Sequence, residues 1–161
     1  NDELIKSSKL INFVNSFHPI INSLKNDNLL SVNSYVLNYT SIVKSVIENK
    51  RIYKIGVMGI GTDFHTAGIF PNSKELFESK FNSLDYITSH TFGKSPYTNR
   101  ITITIPALML FDSFIIYLKS EEKKPVLDYL LEENTQLKPL NEIPCGVYRL
   151  MESTIVTDII S

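Results

Sequence analysis

From residue 32 onward, stretches with helically spaced apolar residues alternate with stretches that read as strands. That alternation constrains the chain most, because helices between strands pack onto the faces of a shared sheet. Val32, Tyr35, Val36, Tyr39, Ile42, Val43, Val46 and Ile47 form one long helical stripe. ENKR links it to IYKIGVMGIG, a short buried strand ending in glycines. Pro71, Asn72 and Ser73 end the following loop and cap a short helix through Glu75, Leu76 and Phe77. A strand is expected near 85–87, then a polar loop, SHTFGKSPYTN. RITITIP alternates as a strand does, ALMLFDS reads as a short helix or turn, and FIIYLK as a second buried strand. EEKKPVLDYLLEE is a helix if Pro125 lies in its first turn. Strands are expected at 147–150 and 154–157. Upstream, Leu10, Phe13, Val14 and Phe17 form a further helical stripe; Pro19 interrupts it, and Ile20, Ile21 and Leu24 continue the face.

The reading is an α/β fold: three layers, with a sheet of mostly parallel strands and helices on both faces. A length of 161 residues predicts a single domain over 1–161. The net charge of −1 supplies no field for nucleic acid or an anionic membrane, so neither is an expected partner. An anionic ligand would have to be held by a few local cations. Cys145 is the one cysteine, which rules out an internal disulfide and a cysteine zinc cluster. It reads as a buried filler. A reducing, cytoplasmic setting and a monomer or weak homo-oligomer are expected. The N-terminus has neither a signal-peptide layout nor an initiator Met, so a fragment or processed form is expected.

The chemistry gathers in GIGTDFHTAGIFP, residues 59–71. Gly59 and Gly61 follow a strand, where ligands bind in open α/β sheets. Asp63 and His65, two apart, point the same way in an extended segment. A dinucleotide fingerprint fails because Phe64 stands at its third glycine, and the Gly-Lys-Ser/Thr of a P-loop is absent. A metal site lacks a third ligand at a suitable spacing. Two readings stay open on the residues: a tight turn with a hydrogen-bonded histidine, and a catalytic histidine oriented by a carboxylate.

GIGTDFHTAGIFPNS resembles the signature of the 6-phosphogluconolactonases, G-x-G-x-D-G-H-T-A-S-L-F-P-G. The related glucosamine-6-phosphate deaminases continue instead with an N-E-P motif. NRITITIPAL resembles the family's R-I-T-L-T strand, YLKSEEKKPVLDYLL its G-x-x-K helix start, and TIVTD its last strand. The resemblance covers about residues 32–160. It implies hydrolysis of 6-phosphoglucono-δ-lactone without metal or organic cofactor. His65 would be the general base, with Asp63 orienting it. Gly59 and Gly61 would shape the floor, and their turn would offer N–H donors to an oxyanion. Arg100 and Lys123 would hold the phosphate.

Three departures from the pattern stand out. Phe64 and Ser120 occupy positions that are glycine in the family, and no Gly/Ser-rich turn precedes residue 56. Asp2 and Glu3 could correspond to the family's D-E-R, with Leu4 in place of the arginine. The fold is therefore expected to be incomplete at its N-terminus. The alternatives are a non-catalytic sugar-phosphate binder on the same fold and a deaminase-like isomerase.

Overall fold

The structure is a computed structural model that describes residues 29–91, 99–133 and 136–159. The stripes at 8–17 and 20–24 lie outside these residues. Helix α1, Leu29–Ile47, buries Val32 and Ile47 at its two ends. Strand β1 is Ile55–Gly59, and Ser73 caps the short α2, Lys74–Leu76, by accepting from the Leu76 N–H. A π-helical turn, Phe77–Phe81, buries both its phenylalanines. Strands β2, Ile87–Thr91, and β3, Asn99–Ile103, form an antiparallel pair, against which α1 packs. Then come α3, Ile105–Leu108; β4, Ser113–Leu118; a 3₁₀ turn, Glu121–Lys123; α4, Lys124–Leu131; a 3₁₀ segment, Pro144–Leu150; and β5, Ser153–Thr157. Pro125 does lie in the first turn of α4, where its missing N–H costs nothing.

The main sheet has the order β1-β4-β5, and both pairings are parallel. Lys54 and Asp112 align the entries to β1 and β4: the Lys54 N–H donates to Asp112 Oδ2 at 2.7 Å, and the ammonium stands 3.2 Å away. Phe114, Ile116 and Leu118 point into the core, at most 1% exposed. Gly56, the register partner of Phe114, has no room for a side chain, since a Cβ there would lie 2.3 Å from the Phe114 ring. The opposite face carries Val57 at 72% and Tyr117 at 51% exposure. Among the described residues, helical cover of both faces is thus not seen. No helix among them is long and apolar enough to cross a membrane.

Two local expectations are corrected. The strand placed near 85–87 begins at Ile87 and takes in Ser89, His90 and Thr91 of the supposed loop. The strand expected at 147–150 is 3₁₀ helix instead. Pro144 to Tyr148 are buried without interruption, and a short, wholly buried run has no period to separate strand from helix.

Candidate active site

The chain reverses just beyond β1. Ile60 bridges Thr66, which in turn bridges Ile69. Inside this reversal, the Phe64 N–H donates to Gly61 O at 3.0 Å and the Gly61 N–H to His65 O at 2.9 Å. The Gly61 N–H is therefore already engaged, against the expectation that it serves an oxyanion. Phe64 takes the left-handed conformation, φ 66, which turns the Asp63 and His65 side chains toward each other. His65 Nδ1 lies 2.6 Å from Asp63 Oδ1, and the same oxygen accepts the His65 backbone N–H at 3.3 Å.

Burial raises the Asp63 carboxyl, but hydrogen bonds from the His65 ring and backbone, with the His65 charge, bring it below its ordinary value. Asp63 is thus ionised at neutral pH and can only accept. The shared proton belongs to His65 Nδ1, so Nε2 of the neutral ring keeps its lone pair. An imidazole in that tautomer can take a proton from water.

The turn is held from three sides. Thr66, fully buried, lies 2.7 Å from Tyr148 Oη and donates to Gly59 O at 3.3 Å. The Cys145 N–H donates to Phe64 O at 3.2 Å, while the Phe64 ring meets Tyr129 edge-on at 5.9 Å. The β2–β3 pair grips the stretch after His65: His90 Nε2 donates to Gly68 O at 3.1 Å, and the Thr102 hydroxyl donates to Ala67 O. Burial, ahead of the opposing Gly68 bond and with the nearby Arg100 and Lys80 charges, lowers the His90 pKa. The Cys145 thiol is buried and pushed up to about 12, so it stays protonated and is no nucleophile.

A cavity of about 480 Å³ opens here, lined by Gly59, Gly61, His65, Ala67, Gly68 and Lys123, among others. Lys123 comes to it from the 3₁₀ turn just before α4, and its N–H donates to Ser120 O at 3.0 Å. The Ser120 N–H in turn donates to Asp158 Oδ1 at 3.1 Å, so the aspartate after β5 steadies the turn that carries Lys123. Arg100 is not on the cavity wall. Its guanidinium carbon lies 5.3 Å from the centroid of Phe70, whose ring stacks on His65 at 4.3 Å. The structure brings Gly59, Gly61, Asp63, His65 and Lys123 together and leaves Arg100 one ring away. Among the described residues, no three His, Cys, Asp or Glu side chains converge as metal ligands would.

The family described as glucosamine-6-phosphate isomerases/6-phosphogluconolactonase matches residues 1–155. The chain belongs to this family. It is 25% identical over 105 residues to the 6-phosphogluconolactonase of Neisseria meningitidis serogroup A, covering 65% of this chain and 46% of that one. It is 35% identical over 81 residues to the 6-phosphogluconolactonase of Helicobacter pylori, covering 50% and 34%. The solved 6-phosphogluconolactonase of Trypanosoma brucei superposes with a TM-score of 0.61 at 17% identity, over 85% of this chain and 55% of that one; this likeness shows the fold. The chain spans less than half the length of the curated relatives it matches.

Membership in the isomerase/lactonase family gives the two glycine departures a geometric meaning. Phe64 and Ser120 have φ values of 66 and 86, conformations that glycine adopts freely and other residues do not. At both places the backbone takes a conformation that a glycine would adopt without strain. Sequence reading did not single out Phe70, Thr66, Tyr148, His90 or Thr102. The alternation of RITITIP did carry one signal, since it puts Arg100 and Thr102 on the same strand face.

Proposed function

We propose that this chain carries the hydrolytic site of a 6-phosphogluconolactonase. The observation behind this reading is the 2.6 Å contact of an ionised Asp63 with Nδ1 of His65, which lines a cavity together with Lys123. The substrate is 6-phosphoglucono-δ-lactone. His65 Nε2 takes a proton from a water as the water oxygen attacks the ester carbonyl carbon C1. Asp63 accepts from Nδ1–H throughout and stabilises the imidazolium that forms. The tetrahedral oxyanion collapses, the C1–ring oxygen bond breaks, and the imidazolium returns its proton to the departing oxygen. The product is 6-phosphogluconate. Lys123 holds the phosphate as a point charge, far from the reacting carbon, and so contributes positioning energy. Arg100 adds to that field at greater distance. No metal or organic cofactor enters this scheme, and a cytoplasmic location goes with a phosphorylated metabolite as substrate.

The test is the hydrolysis rate of freshly prepared lactone, read through a downstream dehydrogenase. It is compared with the spontaneous rate and with His65→Ala. Acceleration that disappears in His65→Ala supports the reading; full activity in His65→Ala overturns the assignment of the base.

Phe64, held in the left-handed conformation between Asp63 and His65, favours one second reading, a non-catalytic sugar-phosphate binder. A folded chain that leaves the lactone rate at its blank value while binding 6-phosphogluconate in a calorimeter would establish that reading instead.

A further inference from the structure

We infer that Phe70 is a positioning residue of this site, a platform that sets the plane of the His65 imidazole and ties Arg100 to it. The inference rests on the lactonase reading for its kinetic consequences and on geometry for the rest. The Asp63 bond fixes only Nδ1, and a ring held at one atom can still swing about that point. His65 is 35% exposed, so packing on every side does not hold it either. The Phe70 ring lies against it with centroids 4.3 Å apart and planes 25° apart. Such a face contact removes the swing and thereby aims Nε2. The Arg100 guanidinium carbon is 5.3 Å from the centroid of the same ring, within the range of a cation–π contact.

Phe70 is itself well placed to act as a reference surface. Ile69 before it is fully buried and donates its N–H to Thr66 O at 2.7 Å. Its own carbonyl accepts from the Asn72 side-chain amide, and Asn72 donates its backbone N–H to Asn141 O at 2.9 Å. Pro71 restricts the residue before it to extended conformations. Arg100 belongs to β3 and His65 to the turn after β1, so one ring couples two elements distant in the chain.

Two variants and two readouts test this. Phe70→Leu keeps apolar bulk without a ring face, and Phe70→Tyr keeps the face. In proton NMR, the hydrogen-bonded His65 Nδ1–H resonance should be visible in the wild type and in Phe70→Tyr. In Phe70→Leu it should broaden into solvent exchange, and the His65 ring C–H resonances should lose their upfield ring-current shift. In lactone hydrolysis, Phe70→Leu should lower kcat on the order of 10- to 100-fold, the scale of a misplaced catalytic group, and Phe70→Tyr should restore it. Unchanged imidazole resonances in a folded Phe70→Leu would overturn the inference, as would altered resonances with an unaltered kcat. If the wild type fails to hydrolyse the lactone, the lactonase reading falls, and the imidazole resonances alone decide the role of Phe70.

Discussion

A Cβ on Gly61 would stand 2.2 Å from His65 Nδ1 and 2.6 Å from Asp63 Oδ1. Gly61 therefore serves the hydrogen-bonded pair by leaving its space empty. Gly59 differs, because a Cβ there would meet nothing within 4 Å. Gly61→Ala should displace the pair and reduce kcat/KM by roughly 100-fold. Gly59→Ala should be tolerated by the fold. Steady-state kinetics beside circular dichroism would check both; an active Gly61→Ala would show that the turn relaxes around the methyl group.

Phe64 combines a left-handed backbone with a ring packed on Tyr129. Substitution by Ala removes the ring and keeps the strain, whereas Gly removes both. Phe64→Gly should thus be more stable than Phe64→Ala by about 1 kcal/mol, measured by urea unfolding. Ser120, exposed at φ 86, makes no side-chain cap bond, and the bond from its N–H to Asp158 does not depend on its side chain. Ser120→Gly should raise stability by about 1 kcal/mol.

His90 gives a pH dependence whose sign follows from its lowered pKa. The unfolded chain binds the His90 proton more readily than the folded one. Its unfavourable contribution is therefore absent above the ordinary value near 6.5 and grows as pH falls through and below it. The melting temperature of the wild type minus that of His90→Gln should decline as pH is lowered from 7.5 to 5, because Gln can donate to Gly68 O but does not titrate. A difference that stays flat with pH would contradict the burial of this imidazole.

Lys123 lines the cavity and Arg100 does not. Lys123→Ala should therefore raise KM about 10- to 100-fold with kcat little changed, the scale of one charge-assisted hydrogen bond. Arg100→Ala should raise KM less and lower kcat in parallel with Phe70→Leu. Equal KM effects from the two substitutions would mean that both cations touch the phosphate.

Much of the fold was legible because burial leaves a local imprint. The stripe from Val32 to Ile47 lies in α1, the Ser73 cap and the first-turn Pro125 are where expected, and β1, β3, β4 and β5 match their apolar runs closely. At 147–150 a strand is expected and 3₁₀ helix is found, because the unbroken burial of Pro144 to Tyr148 leaves no period to separate the two. The role of His90 became apparent only once β2 lay beside the turn after His65.

By itself, the sequence determined most of the elements and the local chemistry: a glycine-ended strand, and an aspartate two residues before a histidine. Those features depend on neighbours within a few positions. Only the tertiary structure decided that β1 lies beside β4 with β2 and β3 set apart, that Lys123 reaches the cavity of His65, and that Arg100 meets His65 through Phe70. The physical reason is that apolar period reports which side of an element is buried and not what buries it. Strand order, register and the packing of one ring on another select among the many arrangements that would bury the same residues equally well.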